Sequence, residues 1–209
     1  MNEPQSARYG ISICLTEPLL ASSPADPEVY KRFIDERKGK DQKAAGEEVE
    51  TLPAEKKEVT GWSVFHRDEK GLFLFDYKLR GFLKAAAEAV TGRSKLSAYK
   101  SKIDKWVFVS PRRIYLSNGR GEILQEPAGV LERPIRAMTM QGPRTSVKRS
   151  DYVEAGTKFS AELKVLPLGR REIAESVLRE WFDYGELQGL GEWRTGSYGR
   201  FTYTLEPIA

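Results

Sequence analysis

Titratable and nucleophilic chemistry has little to draw on in this sequence. His66 is the single histidine and Cys14 the single cysteine, so neither a histidine dyad nor a zinc site built from Cys and His sets is available. A serine or cysteine nucleophile needs a neighbouring base. His66 does not supply one: it stands in the polar run His66-Arg67-Asp68-Glu69-Lys70-Gly71, which predicts an exposed, inert turn residue. Cys14 falls in an apolar strand pattern and is expected to pack. Among the carboxylates, Asp26 lies in a proline-flanked loop, where it could reach a bound strand and serve metal-assisted or acid–base cleavage. It also directly precedes Pro27, at a first helical position, and the role expected of it is helix N-cap. Asp26 is the named catalytic candidate, with another loop carboxylate as the alternative; no resident metal and no cofactor are expected.

The stretch Gly189 to Phe201 carries more chemistry. Gly189, Gly191, Gly196 and Gly199 allow positive φ and close approach to another chain, and Arg194 and Arg200 bracket Tyr198. The stretch lacks the Gly-Lys-Ser/Thr ending of a P-loop and follows a helical pattern rather than a strand, so the nucleotide-cofactor folds are disfavoured. Arginine forks suit phosphates and aromatic rings suit unpaired bases. Glycines that only relieve crowding in an irregular connector would leave the same sequence. Elsewhere, Lys78, Arg80 and Lys84 leave the apolar stripe of one helical pattern, with Arg80 and Lys84 four apart and so on one face. Arg112 and Arg113 flank a predicted strand, and Arg144 and Lys148 lie in a later basic stretch.

The formal net charge is +4, with 40% apolar and 31% charged residues, as in a wetted globular protein of one elaborated domain. The charge is unevenly spread. From Lys78 to Arg120 eleven Lys and Arg face only Glu88 and Asp104, and from Glu132 to Arg149 five face one acid, whereas Asp35 to Glu58 holds eight acidic and six basic residues. Such segregation is the footprint of a basic face, for which polyanions are the commonest partner. No run approaches the length of a membrane span, the start is polar, and a cytoplasmic, reducing location is expected.

These residues must be positioned by an α+β chain. Tyr9 to Thr16 alternates as a half-buried strand, and Pro27 to Glu36 has a helical stripe of Val29, Tyr30, Phe33 and Ile34. Residues 37–60 are charged and aperiodic and predict a mobile insertion. Gly61–Phe65 and Leu72–Phe75 predict a hairpin with a longer loop, and Tyr77–Val90 a helix. A short helix is expected around Ala98–Ile103. Strands are expected at Trp106–Val109, at Arg113–Leu116, and over Gly129–Thr139 with a break at Pro134. Residues 141–152 read as a second, basic excursion from the core. Phe159–Val165 is a clean strand, Arg170–Tyr184 a helix, and Phe201–Leu205 a closing strand.

With those motifs in hand, the chain resembles the RAMP superfamily, the repeat-associated RNA-binding subunits of CRISPR effector complexes. Gly189 to Phe201 is similar to their C-terminal glycine-rich loop. Phe65 to Val90, including Leu79-Arg80-Gly81-Phe82-Leu83-Lys84, resembles the turn and basic helix of the backbone-forming subunits, and Arg144 to Val165 resembles the segment entering their penultimate core strand. Tyr77-Lys78 replaces the small residues and serine usual in the family. The resemblance implies a ferredoxin-like (RRM-type) core with inserted loops and hairpins. It also implies binding of single-stranded RNA along a basic surface, and assembly with copies of itself or with other effector subunits. Some family members cut RNA with an aspartate in the loop after the first strand, a region where Asp26 lies in poorly matching surroundings. The chain is also similar to compact stand-alone relatives of phages and prophages, for which the ligand would be single-stranded DNA or RNA. A protein that docks into a CRISPR complex is a further alternative.

Overall fold

The structure, a computed structural model, describes residues 6–38, 42–53, 61–94, 98–140 and 142–208. In chain order the elements are β1 (Ala7–Leu15), β2 (Leu19–Leu20), β3 (Ser23–Pro24), α1 (Pro27–Lys38), α2 (Gln42–Glu50), β4 (Trp62–Val64), β5 (His66–Asp68) and β6 (Gly71–Phe75). They continue with α3 (Asp76–Ser94), α4 (Tyr99–Trp106), β7 (Val107–Ser110), β8 (Arg113–Tyr115), β9 (Gly129–Thr139), β10 (Gly142–Val153), β11 (Lys158–Val165), α5 (Glu175–Gln188) and β12 (Phe201–Ile208). The class is α+β, as expected.

The central sheet has the order β12-β1-β11-β7, and each neighbouring pair is antiparallel. Period-two alternation explains its faces: Ile11, Ile13 and Leu15 of β1 and Phe159, Leu163 and Val165 of β11 are buried, while Arg8, Ser12, Ser160 and Lys164 face outward. Helices α3 and α5 cover the apolar face with Leu79, Phe82 and Leu83 from one and Leu178, Trp181 and Phe182 from the other. Gly185 of α5 is where they close on the sheet. A Cβ there would lie 2.4 Å from the Phe201 ring and 2.6 Å from that of Phe82, so a side chain would push apart rings that the core needs in contact.

A second sheet, β2-β10-β4-β3 with β9 added on β10, stands beside this core. Its dominant feature is the ribbon β9–β10, paired from Gly129↔Tyr152 to Thr139↔Gly142. The expected excursion at 141–152 is therefore an ordered strand; Gln141 itself lies outside the described residues. Its near end is integrated, with Ser150, Asp151 and Val153 buried, and residues 143–147 are exposed. The break expected at Pro134 is absent: Pro134 pairs with Val147 inside the ribbon, in a strand whose outer edge pairs with no other strand among the described residues, so a missing donor is tolerated.

Other expectations are corrected too. β4 pairs parallel with β10 and antiparallel with β3, so it is not the hairpin partner of β6. That partner is β5, through His66↔Phe73 and Asp68↔Gly71, and β8 adds to β6. Within 37–60, residues 42–50 form α2, and Glu48, Thr51 and Leu52 are buried. Residues 39–41 and 54–60 lie outside the described set. On α1, Tyr30 is buried but Val29 is exposed; the Phe33 and Ile34 side chains lie outside it as well. Trp106 ends α4 instead of starting a strand, and α5 begins at Glu175, not Arg170. No helix among the described residues is long and apolar enough to cross a membrane.

Candidate nucleic-acid interface

The glycine-rich loop is built by backbone closure. The Leu190 N–H donates to the Gly199 carbonyl at 2.9 Å, so the two ends of the loop clasp. Gly199 has φ +71° and a Cβ there would sit 2.0 Å from the Leu190 carbonyl oxygen; Gly189 has φ +78° and its Cβ would meet the Tyr198 carbonyl at 2.4 Å. Both positions exclude any side chain. The segment after β1 pins the clasp from below: Gly199 N–H donates to the Pro18 carbonyl at 2.8 Å, and Thr16 N–H to the Arg200 carbonyl at 2.8 Å. The glycines thus serve closure and packing, the structural alternative that the sequence left open, with Gly191 against Leu19 and Gly196 against the Trp193 ring.

The loop in turn carries a stack. The Trp193 and Tyr198 rings lie 5.1 Å apart and 20° from parallel, and the Arg133 guanidinium sits 4.3 Å from the indole centroid. Beside it, Glu192 accepts a hydrogen bond from Ser150 Oγ at 2.8 Å and approaches the Lys148 ammonium (3.5 Å) and Arg133 (3.7 Å). These contacts dock the ribbon on the loop.

Where the loop faces α3 and β2 there is a cleft of about 290 Å³. Leu74, Leu79, Phe82, Ile114 and Phe159 form its apolar floor, and Ser22, Tyr77, Lys78, Gly191 and Arg194 stand at its polar side. Among the described residues that line it there is no Asp or Glu. The Lys78 ammonium is oriented by the Ser22 carbonyl (3.3 Å) and hydroxyl (3.1 Å). Arg194 makes no side-chain hydrogen bond or ion pair among the described residues, so its charge is open to a ligand.

The other basic candidates are dispersed. Arg80 is paired with Asp76 at 2.8 Å, one turn back on α3, and Lys84 with Asp104. Arg112 Nη2 bonds Glu48 at 2.8 Å and Arg113 Nη1 bonds Asp68 at 2.6 Å; both guanidiniums lie over Phe rings of β6, not beside the cleft. Arg144 is exposed on the ribbon, and Lys148 is held by Ser63 (2.8 Å) and Glu192. Arg200 is half-buried, with Nε lacking a hydrogen bond. Asp26 caps α1: its Oδ1 accepts from the Glu28 N–H at 2.8 Å and the Val29 N–H at 3.3 Å.

A polar cluster that sequence reasoning missed lies beneath these elements. His66 is 2% exposed, which corrects the expectation of an inert surface residue. Thr51 Oγ1 donates its one hydrogen to the Glu48 carbonyl (2.8 Å). The ring must therefore donate from Nδ1 to Thr51 (2.9 Å) and accept at Nε2 from Ser23 Oγ (3.0 Å). This neutral tautomer is enforced by burial, with Lys78 and Arg113 adding repulsion, so the imidazole pKa falls to about 3. Nearby, the fully buried Glu48 carboxylate accepts from Tyr30 (2.8 Å), Arg112 (2.8 Å) and Tyr77 (3.3 Å), and burial drives the Tyr30 phenol upward. A neutral, enclosed imidazole with both nitrogens bonded has no site for transferring a substrate proton. The cluster holds α2 and β3 on the hairpin β5–β6. The apolar neighbours Val64, Phe65, Leu72 and Phe73 were the available signal for His66, but the register of β5 on β6 was needed to use it. Among the described residues no group of acids, His and Cys could hold a metal ion.

No protein-family model and no curated protein matches the chain. Among solved structures, it superposes on a chain of a type III-B Cmr-beta complex bound to cognate target RNA with a TM-score of 0.50 and 10% identity, over 98% of this chain and 61% of that one. The chain thus spans less than two thirds of that subunit's length. A chain of a type IV-B CRISPR complex gives a TM-score of 0.45 and 12% identity, over 95% and 90% of the two chains. The first likeness is one of fold.

Proposed function

We propose that this protein is a RAMP-type binding subunit that holds single-stranded nucleic acid, RNA in the first place, at the cleft between the glycine-rich loop and α3. The observation that carries the reading is the convergence of Lys78 and Arg194, more than a hundred residues apart in sequence, on one cleft with no carboxylate among its described lining residues. Two cations lining one cleft that has no Asp or Glu among its described lining residues favour a polyanion. The reading is supported by the strand order β12-β1-β11-β7 with α3 and α5 on one face, which we take as a ferredoxin-like core with the remaining strands inserted. It is supported too by the fold likeness to a subunit from an RNA-bound effector complex. Assembly with copies of itself or other effector subunits belongs to the same proposal. The ribonuclease alternative has no comparable support, since Asp26 Oδ1 is committed to the end of α1.

The test is fluorescence anisotropy with labelled single-stranded RNA and DNA at 50 and 200 mM salt. Binding should weaken with salt, by a slope of about 0.7 per phosphate contact on a single strand. RNA should bind more tightly than DNA, and the double variant Lys78→Ala, Arg194→Ala should bind at least about ten-fold more weakly. Absence of binding to either strand at low salt overturns the proposal.

A further inference from the structure

The junction of the ribbon with the glycine-rich loop holds two cations against one carboxylate. Alternation along the paired strands puts Arg133, Lys148 and Ser150 on the face toward the loop, where they meet Glu192. The ribbon's own acids lie on its opposite face. There Glu132 pairs with Arg149 at 2.6 Å, and Asp151 accepts from the Trp62 indole N–H at 2.8 Å. The Arg133 and Lys148 side chains are only 15% and 20% exposed, so their charges are partly desolvated. Glu192 hydrogen-bonds neither of them: its Oε1 lies 3.5 Å from Lys148 Nζ and 3.7 Å from Arg133 Nη2, beyond the roughly 3.2 Å limit of an N–H···O bond. The hydrogen bond it does accept is from the neutral Ser150 hydroxyl. The buried Nε of Arg133 also has no acceptor among the described residues. The Trp193 ring, 4.3 Å from the guanidinium, and Ser63 Oγ, 2.8 Å from Lys148 Nζ, hold the two cations in place. A phosphate, with oxygens on several sides, bonds a guanidinium and an ammonium at once; a single carboxylate turned toward Ser150 does not. Resting on the binding function proposed above, we infer that Glu192 is a built-in competitor, which a phosphate of the bound strand replaces at Arg133 and Lys148. Strand affinity is then reduced by the fraction of molecules in which the carboxylate holds this seat, about ten-fold if it does so in nine of ten.

Glu192→Gln tests this, since the amide keeps an acceptor for Ser150 Oγ and loses the charge. In fluorescence anisotropy with labelled single-stranded RNA and the full chain, the variant should bind about ten-fold more tightly than the wild type. Glu132→Gln removes one charge from the face of the ribbon away from the seat and should change affinity by less than about two-fold, because exposed charges are screened. An equal gain in both variants would be a general effect of charge and overturns the competition. An unchanged or weakened affinity in Glu192→Gln overturns it as well, and makes Glu192 a dock for the ribbon alone. Ser150→Ala, which frees the carboxylate without removing its charge, is the second variant should the first fail to fold, with a gain of about three-fold expected. A further measurement needs no strand. Inorganic phosphate is titrated while the indole N–H signal of Trp193 is followed by NMR, assigned with Trp193→Phe. Phosphate should shift this signal at about ten-fold lower concentration in Glu192→Gln than in the wild type. If RNA binds but phosphate moves the signal in neither protein, the seat is overturned while the binding function stands. If the wild type binds no RNA and the shift still appears, the binding function fails and the seat is one for free phosphate.

Discussion

Glu48 and Arg112 pair across the boundary between interior and solvent: the carboxylate is fully buried, half of the arginine side chain is exposed, and Arg112 Nη2 lies 2.8 Å from Glu48 Oε1. From outside, Arg112 looks like a ligand-binding cation. From inside, it is, with Tyr30 and Tyr77, among the donors that make a buried carboxylate tolerable.

Arg112→Ala is accordingly expected to cost stability rather than affinity. Removing one partner of a buried pair leaves an uncompensated charge, a loss of about 3 kcal/mol, reduced here because Tyr30 and Tyr77 remain. Urea unfolding should show the loss while single-strand binding changes by less than about two-fold. An affinity loss with unchanged stability would place Arg112 on the ligand.

His66 sets an acid limb. Its pKa is about 3 in the folded chain and about 6.5 when unfolded. The unfolded state therefore binds the extra proton first as pH falls, and stability is full above about pH 6.5 and lost below it. The slope for one proton is about 1.4 kcal/mol per pH unit, so urea midpoints should fall between pH 6.5 and 5. In that window Asp68, whose pKa is lowered against burial by the Tyr115 hydroxyl, the Lys70 N–H and Arg113, and Glu162, lowered by Arg8, do not yet titrate. His66→Gln should flatten the limb; an unchanged slope would assign it to another group.

The cations of α3 should separate by position. Arg80 and Lys84 are engaged with Asp76 and Asp104, so Arg80→Ala with Lys84→Ala is expected to change single-strand affinity less than Lys78→Ala with Arg194→Ala does. The salt slope should fall by about 0.7 for each phosphate contact removed. The reverse ranking in anisotropy would move the interface along the helix.

Two glycines should behave oppositely in thermal unfolding. Gly199→Ala sets a methyl 2.0 Å from the Leu190 carbonyl at a positive φ, and a loss above about 2 kcal/mol is expected. Gly81→Ala meets nothing within 4 Å and should gain about 0.5–1 kcal/mol from helix propensity.

The elements of the central sheet were legible because each buries one face. The alternation of Ile11, Ile13 and Leu15, and that of Phe159 to Val165, shows in one dimension, as does the stripe from Leu79 to Leu83. The parallel pairing of β4 with β10 was not legible, since its partners Ser63 and Ser150 are 87 positions apart and short strands carry little periodicity. α2 was missed for a related reason: Glu48, buried among its described side chains, is a carboxylate whose donors come from α1, α3 and the residue before β8.

Residue types and local order thus determined the α+β class, the cap at Asp26, the want of Cys and His chemistry, and the glycine-rich loop between a helix and a last strand. Only the tertiary structure decided which charges stand open. Ion pairing and burial depend on what the chain brings within a few ångströms, and this neutralises Arg80, Lys84, Arg112 and Arg113 by local or distant carboxylates. The same folding brings Arg194, which makes no side-chain bond among the described residues, to a cleft that Lys78 also lines.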